Sequence, residues 1–184
     1  MPALSIDHHE VRLWAAHVAR GLAGVVFGII VMSGPWPRVE QTAGAFVVYS
    51  LVDAALSFYG AKRVRASRGR PAFLGAVGVL DVAAAVLAII FPVASPLRLI
   101  GGIRAVATGA CDARWSRRHN VSDLITLGGV AAAMLGILVL AWPGPGLDAL
   151  SWLLGLQVMV AGSLFVAGSL SELRRIETTV PAAV

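Results

Sequence analysis

The chain has 184 residues with a mean hydropathy of +0.80; 58% are hydrophobic and only 14% are charged. A soluble domain of this size carries about a quarter charged residues, so there are too few here to cover a water-facing surface. The net charge of +5 comes from basic residues scattered through short loops, which excludes a nucleic-acid-binding face as the reason for it.

In chain order, six apolar runs stand out, at roughly 15–34, 42–61, 72–91, 96–113, 124–142 and 149–170. Each approaches the ~20 residues a helix needs to cross ~30 Å of hydrocarbon. The expected fold is all-α: a polytopic membrane protein of six transmembrane helices arranged as three tandem helical hairpins. A segment 1–14 precedes a six-span membrane domain at 15–174, with repeats at about 13–69, 70–122 and 123–174. Residues 175–184 are expected to form a flexible tail. The first run is too long and its flank too mixed in charge for a secretory signal, so it is read as a retained span.

The basic residues sort by loop. Arg12 and Arg20 precede the first span's apolar stretch. Lys62, Arg63, Arg65, Arg68 and Arg70 lie between spans two and three, Arg114, Arg117 and Arg118 between four and five, and Arg174 and Arg175 after six. The alternate loops hold only Arg38 and Arg98. Positive charge collects on the cytoplasmic side, which predicts both termini inside, in a bacterial cytoplasmic (inner) membrane. Trp14, Trp36, Trp115, Trp142 and Trp152 fall near predicted span ends, where indole favours the headgroup layer. Anionic lipid is the expected partner of the basic loops. A second copy or another membrane protein is the partner class open to such a bundle.

Internal repetition is visible by counting back from Pro35, Pro92 and Pro143. Fourteen residues before lie Gly21, Gly78 and Gly129; eleven before, Gly24, Asp81 and Ala132; seven before, Gly28, Ala85 and Gly136. Each odd-numbered span thus carries a small-residue stripe on one face, with Asp81 taking its middle place in the third span; such stripes let helix backbones approach. The even-numbered spans align Asp53, Arg104 and Gln157, as Ser50-x2-Asp53-x3-Ser57-x2-Gly60, Gly101-x2-Arg104-x3-Thr108-x2-Cys111 and Leu154-x2-Gln157-x3-Ala161-x2-Leu164.

The units "GLAGVVFGIIVMSGP", "GAVGVLDVAAAVLAIIFP" and "GGVAAAMLGILVLAWP", each followed by a second span such as "LIGGIRAVATGA" or "WLLGLQVMVAGS", resemble the HdeD-type family of small bacterial membrane proteins built from short tandem repeats. The resemblance spans about residues 13–174. It implies six spans and a role in acid resistance or a wider stress response, and it supplies no catalytic residues.

Asp53, Asp81 and Arg104 fall inside spans. An unpaired charge at the bilayer centre costs at least ~2.5–3.5 kcal/mol, so these side chains are expected to meet in the interior with Gln157 nearby. At 1.5 Å per residue the three charges lie near one depth. Arg104 is expected to pair with Asp81 or Asp53. A structural ion pair that fixes helix register is the expected role; the alternative is a proton-linked transporter or channel, since two acids to one base would leave a charge to be balanced. No phosphate loop, zinc-protease motif or nucleophile elbow occurs. With a single cysteine, Cys111, disulfides and cysteine-pair metal sites are ruled out within the chain. No enzyme activity, cofactor or metal is expected. His8, His9 and Glu10 are adjacent and cannot face one point on a helix, so a helix start is the reading there.

Overall fold

The computed structural model describes residues 8–34, 39–63, 70–118, 122–142 and 147–179. The first seven residues, the last five, Pro35, Trp36, Pro143, His119 and the side chains of residues 8–17 lie outside what it describes. Those described form six helices: α1 (His8–Ser33), α2 (Val39–Arg63), α3 (Arg70–Ile90), α4 (Ala94–Arg118), α5 (Asp123–Ala141) and α6 (Leu147–Thr179). Each contains one of the six apolar runs. Helix α6 continues through Thr179, well into the segment expected to be a loose tail.

Four helical stretches are long and apolar enough to cross a membrane: Val39–Lys62, Phe73–Ile90, Asp123–Ala141 and Ala149–Ser171. Val18–Ser33 is a shorter apolar stretch. Helix α4 carries Arg98, Arg104 and Asp112 and is the most polar of the six. The apolar side chains are distributed as oil as a solvent demands. Val26, Ile29, Val48, Val79, Ile103 and Met134 are each more than half exposed, whereas Asp53, Asp81 and Arg104 are buried. Trp142 and Trp152 are exposed at one end of the bundle. Trp115, at the other, stacks on Phe73 with ring centroids 5.7 Å apart.

Chain neighbours run antiparallel, and the helices close into a ring in which α6 returns to α1. The tightest interfaces are α1–α6, α4–α5 and α2–α3. They lie between repeats, not inside the hairpins that the repeats define. The small-residue stripes explain why. A Cβ built on Gly109 would sit 2.5 Å from the Gly129 carbonyl oxygen and 2.7 Å from the Ala133 nitrogen; on Gly162 it would sit 2.5 Å from the Gly21 carbonyl oxygen. Gly28 meets the Gly155 carbonyl in the same way, Gly24 packs against Val158, Gly129 against Ala113, and Gly136 against Gly102 and Ala105. The third interface differs: Gly78 faces the ring of Phe58 instead of a backbone. Phe58 occupies the position on α2 that Gly109 and Gly162 occupy on α4 and α6, counted from Asp53, Arg104 and Gln157. A large side chain in a glycine notch replaces glycine on glycine, and the repeat register is preserved.

Two apolar clusters fill one half of the bundle: Ala43, Phe46, Ala84, Ala88 and Leu97 in one, Val139, Leu150 and Leu154 in the other. Within this half the hydroxyls of Thr42 and Ser151 hydrogen-bond each other at 3.1 Å, tying α2 to α6. The opposite half ends in the basic residues Lys62, Arg114, Arg117, Arg118 and Arg174 and is called the basic end below. There the Thr126 hydroxyl donates to Ser116 at 2.9 Å, and Ser122 and Ser171 pair at 3.1 Å.

Gly109→Ala places a methyl group against backbone that has nowhere to move. We expect a loss of about 1–3 kcal/mol, read by thermal or detergent-induced unfolding. A Cβ at Gly44 meets nothing within 4 Å, so Gly44→Ala should hold or raise stability, by up to about 1 kcal/mol. Equal responses at the two glycines would contradict the packing described.

Candidate functional site

The polar interior is a ladder of alternating acids and arginines. Arg104, from α4, donates through Nε to Asp81 Oδ1 at 2.6 Å and through Nη2 to Asp53 Oδ2 at 2.8 Å. Asp81 comes from α3 and Asp53 from α2, so one guanidinium joins three helices. Arg20, from α1, grips the same Asp53 with Nε on Oδ1 at 2.6 Å and Nη2 on Oδ2 at 3.3 Å, the fork geometry natural to guanidinium and carboxylate. Its third nitrogen reaches Asp112 Oδ1, on α4, at 3.4 Å. The order is Asp81, Arg104, Asp53, Arg20, Asp112, with Asp53 shared by both arginines.

Aromatic faces support both cations. The Arg104 guanidinium lies 4.8 Å from the Tyr49 ring centroid and 5.9 Å from that of Phe46; Arg20 lies 5.8 Å from that of Phe165. Such contacts supply favourable electrostatics where water is scarce. Tyr49 is itself stacked on Phe27 at 4.5 Å, which fixes the platform under Arg104.

The helices place these groups by simple periodicity. On α4, residues 104, 108 and 112 recur every fourth position and are all buried. Thr108 turns its hydroxyl back to the Arg104 carbonyl at 2.9 Å. On α3, Asp81 stands where the corresponding helices have Gly24 and Ala132, so a carboxylate fits into a stripe otherwise reserved for close packing. Asp53 lies between Ser50 and Ser57 on the buried face of α2.

Gln157 is also buried and borders the same interior, and its Oε1 has no hydrogen-bond partner. It borders a cavity of about 30 Å³ whose walls also include Arg20, Asp53, Arg104, Thr108 and Asp112. That is room for one or two water molecules. The cavity exists because Gly24, Ala132, Ala161 and Gly162 are small at this level. Among the described residues no three His, Cys, Asp or Glu side chains group as metal ligands would; the three aspartates are turned to guanidinium groups.

Two ladder members escaped the sequence reading. Arg20 was assigned to the basic, loop-side residues, yet its side chain is only 12% exposed and faces Asp53. Its inward placement has a signal in the sequence: Arg20 lies inside the first apolar run and immediately before the packing residue Gly21. The stripe Gly101-x2-Arg104-x3-Thr108-x2-Cys111 leads to Cys111 and misses Asp112. Cys111 is half-buried and Asp112 is the residue that points inward. The expected two acids and one base are therefore three acids and two bases.

A helical bundle that is apolar outside, closely packed on glycine stripes and ionic within is a multi-pass membrane protein. A family model described as "short repeat of unknown function (DUF308)" matches residues 19–90 and 127–178. The chain belongs to that family, whose repeat is the domain of HdeD-type proteins. The matched segments take in α1–α3 and then α5–α6; α4, which brings Arg104 and Asp112, lies between them. No curated protein and no solved structure matches the chain.

Removing one partner of a buried, hydrogen-bonded charge pair strands the other, at about 3–5 kcal/mol. Asp53→Asn weakens the hold on two guanidiniums at once and should fall in that range by unfolding in mixed micelles. Asp112→Asn loses one long contact near the end of the ladder and should cost about 1 kcal/mol. An Asp112 variant as damaging as the Asp53 variant would show that the hub has been misplaced.

Proposed function

We propose that this chain is a non-enzymatic protein of the bacterial cytoplasmic membrane. All six helices cross, as three tandem hairpins with both termini in the cytoplasm, and the protein serves in tolerance of acid or envelope stress. The observation that carries the reading is the ladder itself. Its five charges are directed at one another across α1, α2, α3 and α4. The space beside them has room for one or two waters, far from the ~300 Å³ or more of a small-molecule site. Such a network fixes helix register: sliding α4 by one turn past its neighbours would break Arg104–Asp53, Arg104–Asp81 and Arg20–Asp112 together.

Support for α4 as a span comes from the same pairing, because its Arg104 and Asp112 are directed inward and Ile103 outward. Lys62, Arg114, Arg117, Arg118 and Arg174 gather at one end, consistent with that end facing the cytoplasm. The stress role rests on family membership.

A second reading, a small proton-linked transporter or channel, is favoured by one specific observation. Three carboxylates face two guanidiniums, and Asp81 Oδ2 is buried without a hydrogen-bond donor. A proton on that oxygen would balance the charge.

Reconstitution in liposomes under a proton gradient separates the two. On the structural reading, wild type and Asp81→Asn dissipate the gradient no faster than empty liposomes, and Asp81→Asn unfolds more readily. A wild-type flux abolished by Asp81→Asn would replace the first reading with the second. Survival of acid shock by a bacterial host lacking its own family member should improve on expression of the chain; unchanged survival would remove the stress role.

A further inference from the structure

The ladder is not buried uniformly. Side-chain exposure falls from 12% at Arg20 and 8% at Asp112, through 6% at Arg104 and 2% at Asp53, to 0% at Asp81. Asp112 stands eight residues, about 12 Å of helix rise, closer to the basic end than Arg104. Within the ladder the two most exposed members, Arg20 and Asp112, thus lie on the basic-end side, although Ser57, Ser116 and Ser169 of that half are themselves buried.

Beyond the ladder the character of the interior changes. Above Asp53 and Arg104 come Phe46, Leu97, Leu150, Leu154, Ala88 and Val139, all nearly inaccessible. The buried Thr42 and Ser151 hydroxyls in that half satisfy each other. Between them and Asp53 stands Ser50, whose buried hydroxyl has no partner; the side chains beyond it are apolar or mutually satisfied.

The cavity lies on the basic-end side of this boundary, where its polar walls meet a third apolar cluster of Ile125, Ala132, Ala161 and Phe165. Around it the two guanidiniums of Arg20 and Arg104 are matched by the carboxylates of Asp53 and Asp112, so its walls carry no net charge when all four are ionised. Gln157, 4% exposed, presents an acceptor with no donor. A buried amide oxygen left unsatisfied costs about 1–3 kcal/mol. A neutral molecule able to donate there and accept from Arg20 or Arg104 removes that cost, and the available volume selects water.

We infer that the cavity is a water-filled half-passage, open toward the basic end, closed by the apolar clusters of the other half, and ending at the Asp53–Arg104–Asp81 centre. Water bound beside Gln157 places the ladder in contact with the aqueous phase on one side of the membrane only. The inference depends on the arrangement of side chains along the bundle. It does not depend on which side the basic end faces, nor on the role in stress.

Thiol probes read it directly. In a Cys111→Ala background, single cysteines are placed beside the cavity (Thr108→Cys, Ala161→Cys) and in the apolar half (Ala43→Cys, Ala88→Cys). The full chain is held in lipid nanodiscs, and S–H to S–D conversion after transfer to D₂O is followed by its infrared band. The cavity thiols should exchange at least tenfold faster than those at 43 and 88. Two positions at each level guard against one variant misfolding. Cavity thiols as slow as those at 43 and 88 would mean a dry cavity and overturn the inference. Thiols at 43 and 88 as fast as those at 108 and 161 would mean a passage running right through, and would overturn it equally.

Discussion

The bundle depends on how Asp53 is shared. Its two oxygens receive three guanidinium nitrogens from two arginines, at 2.6, 2.8 and 3.3 Å. In water such a contact is worth little, since hydration competes for each ion. Inside a bundle surrounded by hydrocarbon there is no such competitor, and an unpaired carboxylate would be prohibitively placed. The sharing therefore constrains four helices together: α2 supplies the acid, α1 and α4 the bases, and α3 is drawn in through Asp81. The remaining helices, α5 and α6, have no charge in the ladder. They are held by backbone approach, with glycine on glycine at Gly129–Gly109 and Gly21–Gly162.

These two modes of association are complementary. Between helices in lipid, association relies on close packing and on polar contacts, because apolar burial gives no advantage over lipid tails. The α1–α6 and α4–α5 interfaces use the first and the α1–α2–α3–α4 arc uses the second. At α2–α3 the notch of Gly78 receives Phe58, which spaces the two helices by a ring. Asp81 and Asp53 then stand on adjoining helices with the Arg104 guanidinium between them.

Much of the architecture was legible in the sequence because hydrocarbon is a simple solvent: it permits long apolar runs and penalises charge, and both are written plainly in composition. The six runs became the six helices, and the stripes at Gly21, Gly24, Gly28, Gly78, Gly129 and Gly136 all lie at helix contacts. What periodicity does not reveal is which partner a stripe meets. The repeat defines hairpins but not which helices pack most closely, and the closest interfaces join different repeats, with ring closure bringing α6 onto α1. The ladder's two missed members show the same limit from another side. Arg20 and Asp112 lie near the ends of apolar runs, where a charge has an equally good reading as a headgroup-level residue. Only the neighbouring helix decides between the two, and a single sequence does not say which helix that is.

Repetition with variation has a physical consequence here. Asp53, Arg104 and Gln157 hold corresponding places on α2, α4 and α6, and Gly24, Asp81 and Ala132 hold corresponding places on α1, α3 and α5. Three identical hairpins around an axis would bring three like charges, or three neutral groups, to that depth. The first would repel and the second would bind nothing ionic. Fusing the repeats in one chain removes this restriction, since each copy can then carry a different charge at the same position. A negative, a positive and a neutral polar group meet where symmetry would have demanded sameness. The neutral member, Gln157, is the one beside which the small residues of α5 and α6 leave room for water. Loss of symmetry thus accounts both for the ion ladder and for its position to one side of the ring, against the arc where charges are present and away from the glycine-packed helices that have none.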